Sequence, residues 1–212
     1  MRKFKLITLI LAVSMLLTGV LGGTIAWLVD KTEPVVNTFT YGDINIDLDE
    51  TPTPDDDDNP DTNEYEMIPG EEITKDPKVT VNTDSKASWL FVKLVKSDNF
   101  DDFMEYEIAD GWFPLTDAQG NIVTGVYFRE QTEVTGEDVV IEVIKDNKVR
   151  VKETVTKEML NALDPEGVDA TYPTLTVTAY AVQYSGFEVA EGGTQNAAAY
   201  LAWTNAVAAE NG

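Results

Sequence analysis

The sequence predicts an all-β fold of the sandwich or barrel type, with only a few short helices. From Tyr65 onward, seven short segments have the composition of β-strands, and turn signals separate them. The segment from Trp89 to Val92 is apolar at every position, which predicts a central strand that is covered on both faces. The predicted strands are residues 73–81, 89–95, 104–108, 125–128, 139–144, 149–155 and 175–184.

Two details of the sheets follow from local sequence. Residues 145–148 are Lys-Asp-Asn-Lys, a turn-forming composition, so segments 139–144 and 149–155 are expected to form a hairpin. Trp112 and Phe113 are expected to pack on the same core, because burial is the usual fate of such aromatic side chains.

Helix is predicted at two places. The first is residues 156–163, which end before an Asp-Pro pair because the residue that precedes a proline disfavours helical backbone. The second is residues 194–209, with Thr194 as the N-cap. Three large side chains lie along one face of this second helix: Tyr200, Trp203 and Val207. We expect this C-terminal helix to cover one side or one end of the sandwich.

The chain begins with an apolar run, Leu6 to Val29, of 24 uncharged residues behind a basic flank. This arrangement is typical of an export signal and sends the rest of the chain outside the cell. A small-x-small pattern predicts cleavage after Ala26, so that residues 1–26 are removed and the mature chain begins at Trp27; a pattern ending at Gly22 is a weaker alternative. A retained anchor is the rival interpretation, because 24 helical residues could span a hydrocarbon layer about 30 Å thick.

The composition excludes several classes of protein. Of 212 residues, 38 are acidic and 15 basic, which gives a formal charge of -23, or -26 once the three basic residues of the export segment are removed. Such a surface repels nucleic acid and favours cations or basic partners. The chain has no cysteine for disulfides and no histidine for the common hydrolase mechanisms or the HExxH zinc motif. We therefore predict no enzyme and no cofactor, with a glycosidase-like carboxylate pair as the remaining enzymatic alternative.

The mature chain is predicted to begin with an extended segment, residues 27–49. Residues 38–41 and 44–49 both alternate polar with apolar side chains, as half-buried strands do. The phase of the alternation changes between them, and a bulge at Gly42-Asp43 would restore it.

An apolar free end would be created by the predicted cleavage, and it has to be buried. Its residues, Trp27, Leu28 and Val29, could fold back on their own domain or lie along an exposed sheet edge of the next subunit. We interpret them as a donor strand. Pro34 would mark the hinge, because proline cannot donate a hydrogen bond to a strand ladder.

Residues 50–63 form an acidic stretch that contains three prolines and no other apolar side chain. We interpret this stretch as an exposed loop. A calcium site at the run Asp55 to Asp58 is the alternative, because carboxylates are hard oxygen ligands, although the spacing and the turn glycine of an EF-hand are missing. Residues 64–212 then complete the sandwich domain.

Several stretches resemble the TasA and camelysin family of bacterial biofilm matrix proteins. The most specific is the N-terminal block, residues 22–30 (Gly-Gly-Thr-Ile-Ala-Trp-Leu-Val-Asp) and residues 37–48 (Asn-Thr-Phe-Thr-Tyr-Gly-Asp-Ile-Asn-Ile-Asp-Leu). The other similar stretches are 67–73, 75–77, 108–112, 177–187 and the helix that carries Trp203. The resemblance covers most of the chain.

The resemblance implies a secreted, jelly-roll-like β-sandwich that polymerises into extracellular fibres by passing an N-terminal strand to the next subunit. Its partners would be further copies of itself, a dedicated signal peptidase of the SipW type and other matrix proteins at a bacterial surface. Camelysin has been classed as a metalloprotease, but the absence of histidine disfavours that activity here. A membrane-tethered, monomeric surface adhesin is the alternative function.

Overall fold

Antiparallel β-sheets dominate the part of the chain that the computed structural model describes, residues 29–31, 44–51, 65–164 and 170–210. The strands are β1 (Val29–Lys31), β2 (Ile46–Asp49), β3 (Glu72–Thr74), β4 (Lys78–Val81), β5 (Ser88–Lys96), β6 (Met104–Ile108), β7 (Phe113–Thr116), β8 (Ile122–Gln131), β9 (Val139–Glu142), β10 (Ile144–Val151) and β11 (Leu175–Gln183). The helices are α1 (Phe100–Phe103), α2 (Lys157–Asn161) and α3 (Gln195–Glu210). The predicted all-β sandwich with a few short helices, one of them C-terminal, is confirmed.

The largest sheet has five strands in the order β1-β11-β5-β8-β7. Its centre is β5, where Trp89, Leu90, Phe91 and Val92 are all 0% exposed. Alternate side chains of β5 enter two different cores, one on each face of the sheet. The predicted central strand, covered on both faces, is therefore confirmed.

Two three-stranded sheets make up the second layer, in the orders β2-β4-β9 and β3-β10-β6. The core between this layer and the large sheet contains Ile46, Val81 and Ile141 on one side and Leu90 and Val92 on the other. A separate core lies under β3, β6 and β10, where α1 and the residues around α2 cover it. The α2 helix begins as predicted, because the Thr156 hydroxyl accepts a hydrogen bond from the Met159 amide at 3.3 Å.

The opposite face of the large sheet is covered by α3. Its contact surface consists mainly of small residues, since Ala199, Ala202 and Ala206 are fully buried against the sheet. Trp203 packs beside them, with its ring centroid 5.3 Å from that of Phe91. The predicted cap is confirmed, because the Thr194 hydroxyl accepts from the Ala197 amide at 3.2 Å. Tyr200 and Val207 pack partly buried against the same core, as predicted.

The predicted hairpin of residues 139–155 is wrong. β9 pairs with β4, whereas β10 pairs with β3 and β6, so the two segments belong to different sheets. The turn-forming residues 145–148 lie within β10, where the register against β6 shifts between Ile144 and Val149. Asp146 and Asn147 have φ values of 54° and 56°, so they form a bulge instead of a hairpin turn.

Two other predictions need correction. The predicted strand 73–81 is divided into β3 and β4, which lie in different sheets, by an interruption at residues 75–77 that ends in a proline. Phe113 does not share the core of Trp112: the Trp112 side chain is buried, whereas that of Phe113 is 54% exposed, because adjacent residues of an extended chain point to opposite faces.

The predicted bulge at Gly42-Asp43 and the acidic run Asp55 to Asp58 lie outside the described residues, as does the predicted signal peptide, residues 1–26. Within the described residues, no helix combines the length and the apolar character that crossing a membrane requires.

Candidate functional site

The predicted donor segment reaches the described structure at β1, which forms one edge of the large sheet. Val29 lies opposite Val182, Asp30 opposite Ala181 and Lys31 opposite Tyr180, all on the β11 strand of the same chain. Of the four predicted donor residues, Val29 is described; Trp27, Leu28 and Pro34 lie outside the described residues, as does the predicted cleavage site at Ala26 and Trp27. Donation to another subunit therefore stays a prediction.

β11 offers a longer edge than β1 uses. On its inner side, β11 pairs with β5 along its whole length, residues 175–183, whereas β1 pairs with residues 180–182. In the described part of the chain, no strand pairs with the outer side of residues 175–178. The strand contains no proline, no glycine and no charged residue, so it lacks the common devices that block further pairing.

The hydrogen bonds at the two ends of β11 show which of its residues direct their N–H and C=O groups towards β5. The Tyr184 amide donates to the Ala87 carbonyl at 2.8 Å, and the Ser97 amide donates to the Thr174 carbonyl at 3.0 Å. Because the register between β11 and β5 is regular, the even-numbered residues of β11 bond to β5. The odd-numbered residues direct their N–H and C=O groups to the outer edge, where β1 lies.

The other edge of the large sheet, β7, is short and is interrupted. Its four residues include Pro114, and its register against β8 shifts between Pro114 and Thr116. The same alternation of hydrogen bonds, carried from β11 through β5 and β8, places the nitrogen of residue 114 on the outer side of β7. Proline removes the donor at that position, so this edge is protected against further pairing.

A polar cluster joins the two ends of the acidic segment that follows β2. Asp76, which is 7% exposed, accepts from the Thr51 amide at 3.0 Å, from the Thr51 hydroxyl at 2.8 Å and from the Lys78 ammonium at 2.8 Å. Burial opposes ionisation of Asp76, but these hydrogen bonds outweigh it and hold the pKa of Asp76 below its usual range. At the other end, Glu50 accepts from the Tyr65 hydroxyl at 2.9 Å and pairs with Lys75 at 2.9 Å. The cluster is therefore a structural clamp.

The outer face of the β3-β10-β6 sheet carries a polar groove of about 400 Å³ beside the β10 bulge. Its charges are largely paired with one another, since Lys145 contacts Glu107 at 2.6 Å and Arg150 contacts Glu72 at 2.6 Å. Among the residues described, no group of three or more acidic side chains is placed to hold a metal ion. The calcium alternative concerns residues 55–58, which are outside that set.

No known protein family, characterised protein or solved structure shows a match to this chain. The resemblance to the TasA and camelysin family therefore stays a prediction that rests on the residues quoted for it.

Sequence reasoning did not find the edge protection at Pro114, the clamp around Asp76 or Arg129 of β8, whose buried Nε atom has no hydrogen-bond partner among the described residues. The proline at position 114 is visible in the sequence, but it protects a sheet edge only if its strand lies at the edge, which the sequence does not show. The other two depend on contacts between residues far apart in the chain, such as Thr51 with Asp76.

Proposed function

We propose that this chain is a secreted structural subunit that polymerises into extracellular fibres of a bacterial biofilm matrix. Each subunit donates its N-terminal segment to the β11 edge of the next subunit. The observation that carries the proposal is the pairing of β1 with an unprotected β11 edge. The same register can be formed with the β11 strand of a neighbouring subunit, which would supply backbone hydrogen bonds and bury alternate side chains.

The proposed donation also explains where pairing would stop. β1 and β11 are in register with Asp30 opposite Ala181, a position that directs its N–H to the outer edge. Continued along the chain, the same register would bring Pro34 opposite Val177, another position at which the ladder requires an N–H from the donor. Proline has none, so the donated piece would end before Pro34, in agreement with its proposed role as the hinge.

Donation from one subunit to the next is a head-to-tail contact. Such contacts generate an open filament unless the rotation between subunits closes a ring. The resemblance to matrix proteins supports a fibre, with the dedicated signal peptidase acting before assembly and other matrix proteins as further partners. The membrane-tethered, monomeric adhesin is the second candidate, supported by the 24 uncharged residues at the start of the chain.

An engineered disulfide tests donation directly, because the chain contains no cysteine of its own. Val29 and Val182 face each other as a non-hydrogen-bonded pair, in which the Cα atoms are about 4.5 Å apart, a distance that a disulfide can bridge. Two single variants, Val29→Cys and Val182→Cys, are mixed as mature chains under fibre-forming conditions and oxidised. We expect a disulfide-linked heterodimer on denaturing gels.

The double variant, Val29→Cys with Val182→Cys, is the matched control. If it is oxidised after assembly, it should give a series of covalent multimers on the gel. If it is oxidised as a monomer before assembly, the disulfide should hold β1 on the β11 strand of its own subunit and prevent fibre growth. If the mixed single variants give no heterodimer while the double variant crosslinks only within one chain, β1 belongs to its own subunit and the proposal fails.

The N-terminus of the exported protein separates the fibre subunit from the tethered adhesin. We expect mass spectrometry of the secreted chain to show a start within a few residues of Trp27, because the small-x-small pattern ends at Ala26. An intact Met1 on cell-associated protein would support the adhesin instead.

A further inference from the structure

Arg129 is a half-buried cation that forms no ion pair with the described residues of a strongly acidic chain. It lies in β8, and its Nε atom is buried with no hydrogen-bond partner in the described structure. Burial lowers the pKa of Arg129. This isolation is unusual for a protein with 38 acidic residues, because an arginine that leaves water is normally paired.

The guanidinium is held in place by its neighbours rather than by an ion pair. Its Cζ atom lies 5.5 Å from the ring centroid of Trp112, and the Trp112 indole is itself fixed by donating to the Glu142 carbonyl at 2.8 Å. The guanidinium also lies against Gly111, which has a φ of +89°. A Cβ atom at position 111 would lie 3.4 Å from Nη1 of Arg129, so the glycine leaves room for the guanidinium. The Nε atom is buried, whereas the two terminal nitrogens are not among the buried unpartnered atoms of the described residues, so a ligand would have to bind at Nη1 and Nη2.

Several other cations of the chain are already neutralised within the subunit. Six lysine and arginine residues form ion pairs in the described structure: Lys75, Lys78, Lys86, Lys96, Lys145 and Arg150. Arg150 shows the usual arrangement, because its guanidinium contacts Glu72 at 2.6 Å. Arg129 differs from Arg150 in having the same fork of donors without a carboxylate to fill it.

We propose that Arg129, positioned by Trp112, forms a carboxylate-binding site that takes an aspartate or glutamate side chain of a second copy of this chain. The inference rests on the proposed function. Two mature subunits of charge -26 repel each other, so a contact between them is favoured by a cation that is not already neutralised. The site lies on the β8 side of the large sheet, away from the β11 edge, and would add a second contact to the one made by the donor strand.

The test compares Arg129→Gln with Arg150→Gln, two variants that remove one positive charge each. A charge-assisted hydrogen bond contributes about 1.5–3 kcal/mol, so Arg129→Gln should raise the critical concentration for fibre formation by roughly 10- to 100-fold, as measured by sedimentation. Arg150→Gln should change it by less than about threefold, because Glu72 and Arg150 form an exposed pair. Arg129→Lys should give an intermediate value, because lysine keeps the charge and loses the fork.

A second measurement does not require fibres. The mature chain at low salt is titrated with sodium glutarate, with sodium chloride as the ionic-strength control, and the Trp112 indole signal is followed by NMR after assignment with Trp112→Phe. We expect glutarate to shift this signal in the wild type and in Arg150→Gln, and to leave it unchanged in Arg129→Gln.

The outcomes separate the two proposals. If no fibres form at all, the proposed function fails and the glutarate titration alone decides the carboxylate site. If fibres form with equal critical concentrations for Arg129→Gln and Arg150→Gln, or if glutarate shifts the indole signal without Arg129, the carboxylate site is overturned while donation by β1 stands.

Discussion

The two edges of the large sheet are built differently, although both end the same hydrogen-bonded ladder. β7 has four residues, a register shift and Pro114, whose missing N–H lies on the outer side. At the other edge β1 lies along β11, which has nine residues, none of them proline, glycine or charged; within the described residues, β1 pairs with residues 180–182 of β11. If subunits assemble as proposed, the difference predicts that further strands are excluded from one edge and added at the other, which would give the assembly a single direction.

The largest expected effect comes from removing a hydrogen bond between β1 and β11. Proline is introduced at one of two adjacent positions of β1, only one of which directs its N–H towards β11. Asp30 faces Ala181 as a hydrogen-bonded pair, whereas the N–H of Lys31 points away from β11. Asp30→Pro should therefore abolish fibre elongation, and Lys31→Pro, its matched control, should leave most of it. Light scattering at 0.15 M salt measures both. Equal loss in the two variants would mean that the hydrogen bonds to β11 are not what holds the subunits.

Removing the whole donor end is a coarser form of the same test. A mature chain that lacks residues 27–33 should stay folded and soluble but fail to elongate, and a synthetic peptide of those residues should cap growing ends. Circular dichroism checks the fold, and electron microscopy checks the fibres. Fibres from the shortened chain, or a chain that no longer folds, would assign the segment to its own subunit.

A substitution in β7 tests the protection of the opposite edge of the large sheet. Pro114→Val would restore an N–H on the outer side of β7 and make that edge available for pairing. We expect the variant to form lateral aggregates or branched fibres that the wild type does not form, visible by electron microscopy. Pro173→Ala, a proline outside the strands, is the control and should behave as wild type. Unbranched fibres from Pro114→Val would show that the short length of β7, together with the hydrogen bonds from Asn196 to the Thr116 backbone, already suffices to block pairing.

Features that depend on the residues of one segment could be predicted from the sequence, unlike the difference between the two edges. The central position of β5 was predictable, because the apolar run Trp89 to Val92 can be buried only if both faces are covered. The α3 helix was predictable from Thr194 and the spacing of Trp203, and the alanines that contact the sheet add helix propensity as well. Each of these signals is contained within one segment.

The remaining features depend on which segments become neighbours. The composition of residues 145–148 is compatible with a hairpin turn and with a bulge. The bulge forms because β9 pairs with β4 and not with β10. The protective role of Pro114 likewise depends on the edge position of β7 and on the hydrogen-bond phase transmitted through β5 and β8. Arg129 gives no sequence signal at all, because its lack of a partner is visible only once the folded neighbours are known.

A moderate effect is expected at the clamp that holds the end of β2, the strand of the second layer that lies beside β11. Asp76→Asn should lower the free energy of unfolding by about 1.5–3 kcal/mol at pH 7, because it removes a buried, charge-assisted acceptor. Asp98→Asn, an exposed carboxylate, is the control and should change it by less than about 0.5 kcal/mol. Urea denaturation measures both variants.

The pH dependence of the same variant has a defined sign. The folded pKa of Asp76 is depressed, so its contribution is fully present above the unfolded value of about 3.9 and is lost as the pH falls through the folded pKa. The stability difference between wild type and Asp76→Asn should thus be constant from pH 7 to about pH 5 and shrink only below about pH 4. A difference that persists unchanged to pH 2 would show that the hydrogen-bond geometry, and not the charge of Asp76, provides the stability.

The smallest expected effect is that of salt, and it acts on both edges alike. If residues 1–26 are removed as predicted, the remaining charge of -26 makes subunits repel each other, and the Debye length falls from about 30 Å at 0.01 M to about 10 Å at 0.1 M salt. Elongation should therefore quicken several-fold over this range. Calcium, or acid down to pH 4, should also accelerate it, because both reduce the net negative charge, while the depressed pKa of Asp76 delays the protonation of that residue.

Because screening removes repulsion without restoring a hydrogen-bond donor at Pro114, faster growth should still give unbranched fibres. Light scattering gives the rate and electron microscopy gives the branching, each compared between wild type and Pro114→Val. If growth is unchanged between 0.01 M and 0.1 M salt and between pH 7 and pH 4, repulsion does not limit assembly. If salt alone makes the wild type branch as Pro114→Val does, charge and not Pro114 is what keeps the β7 edge closed.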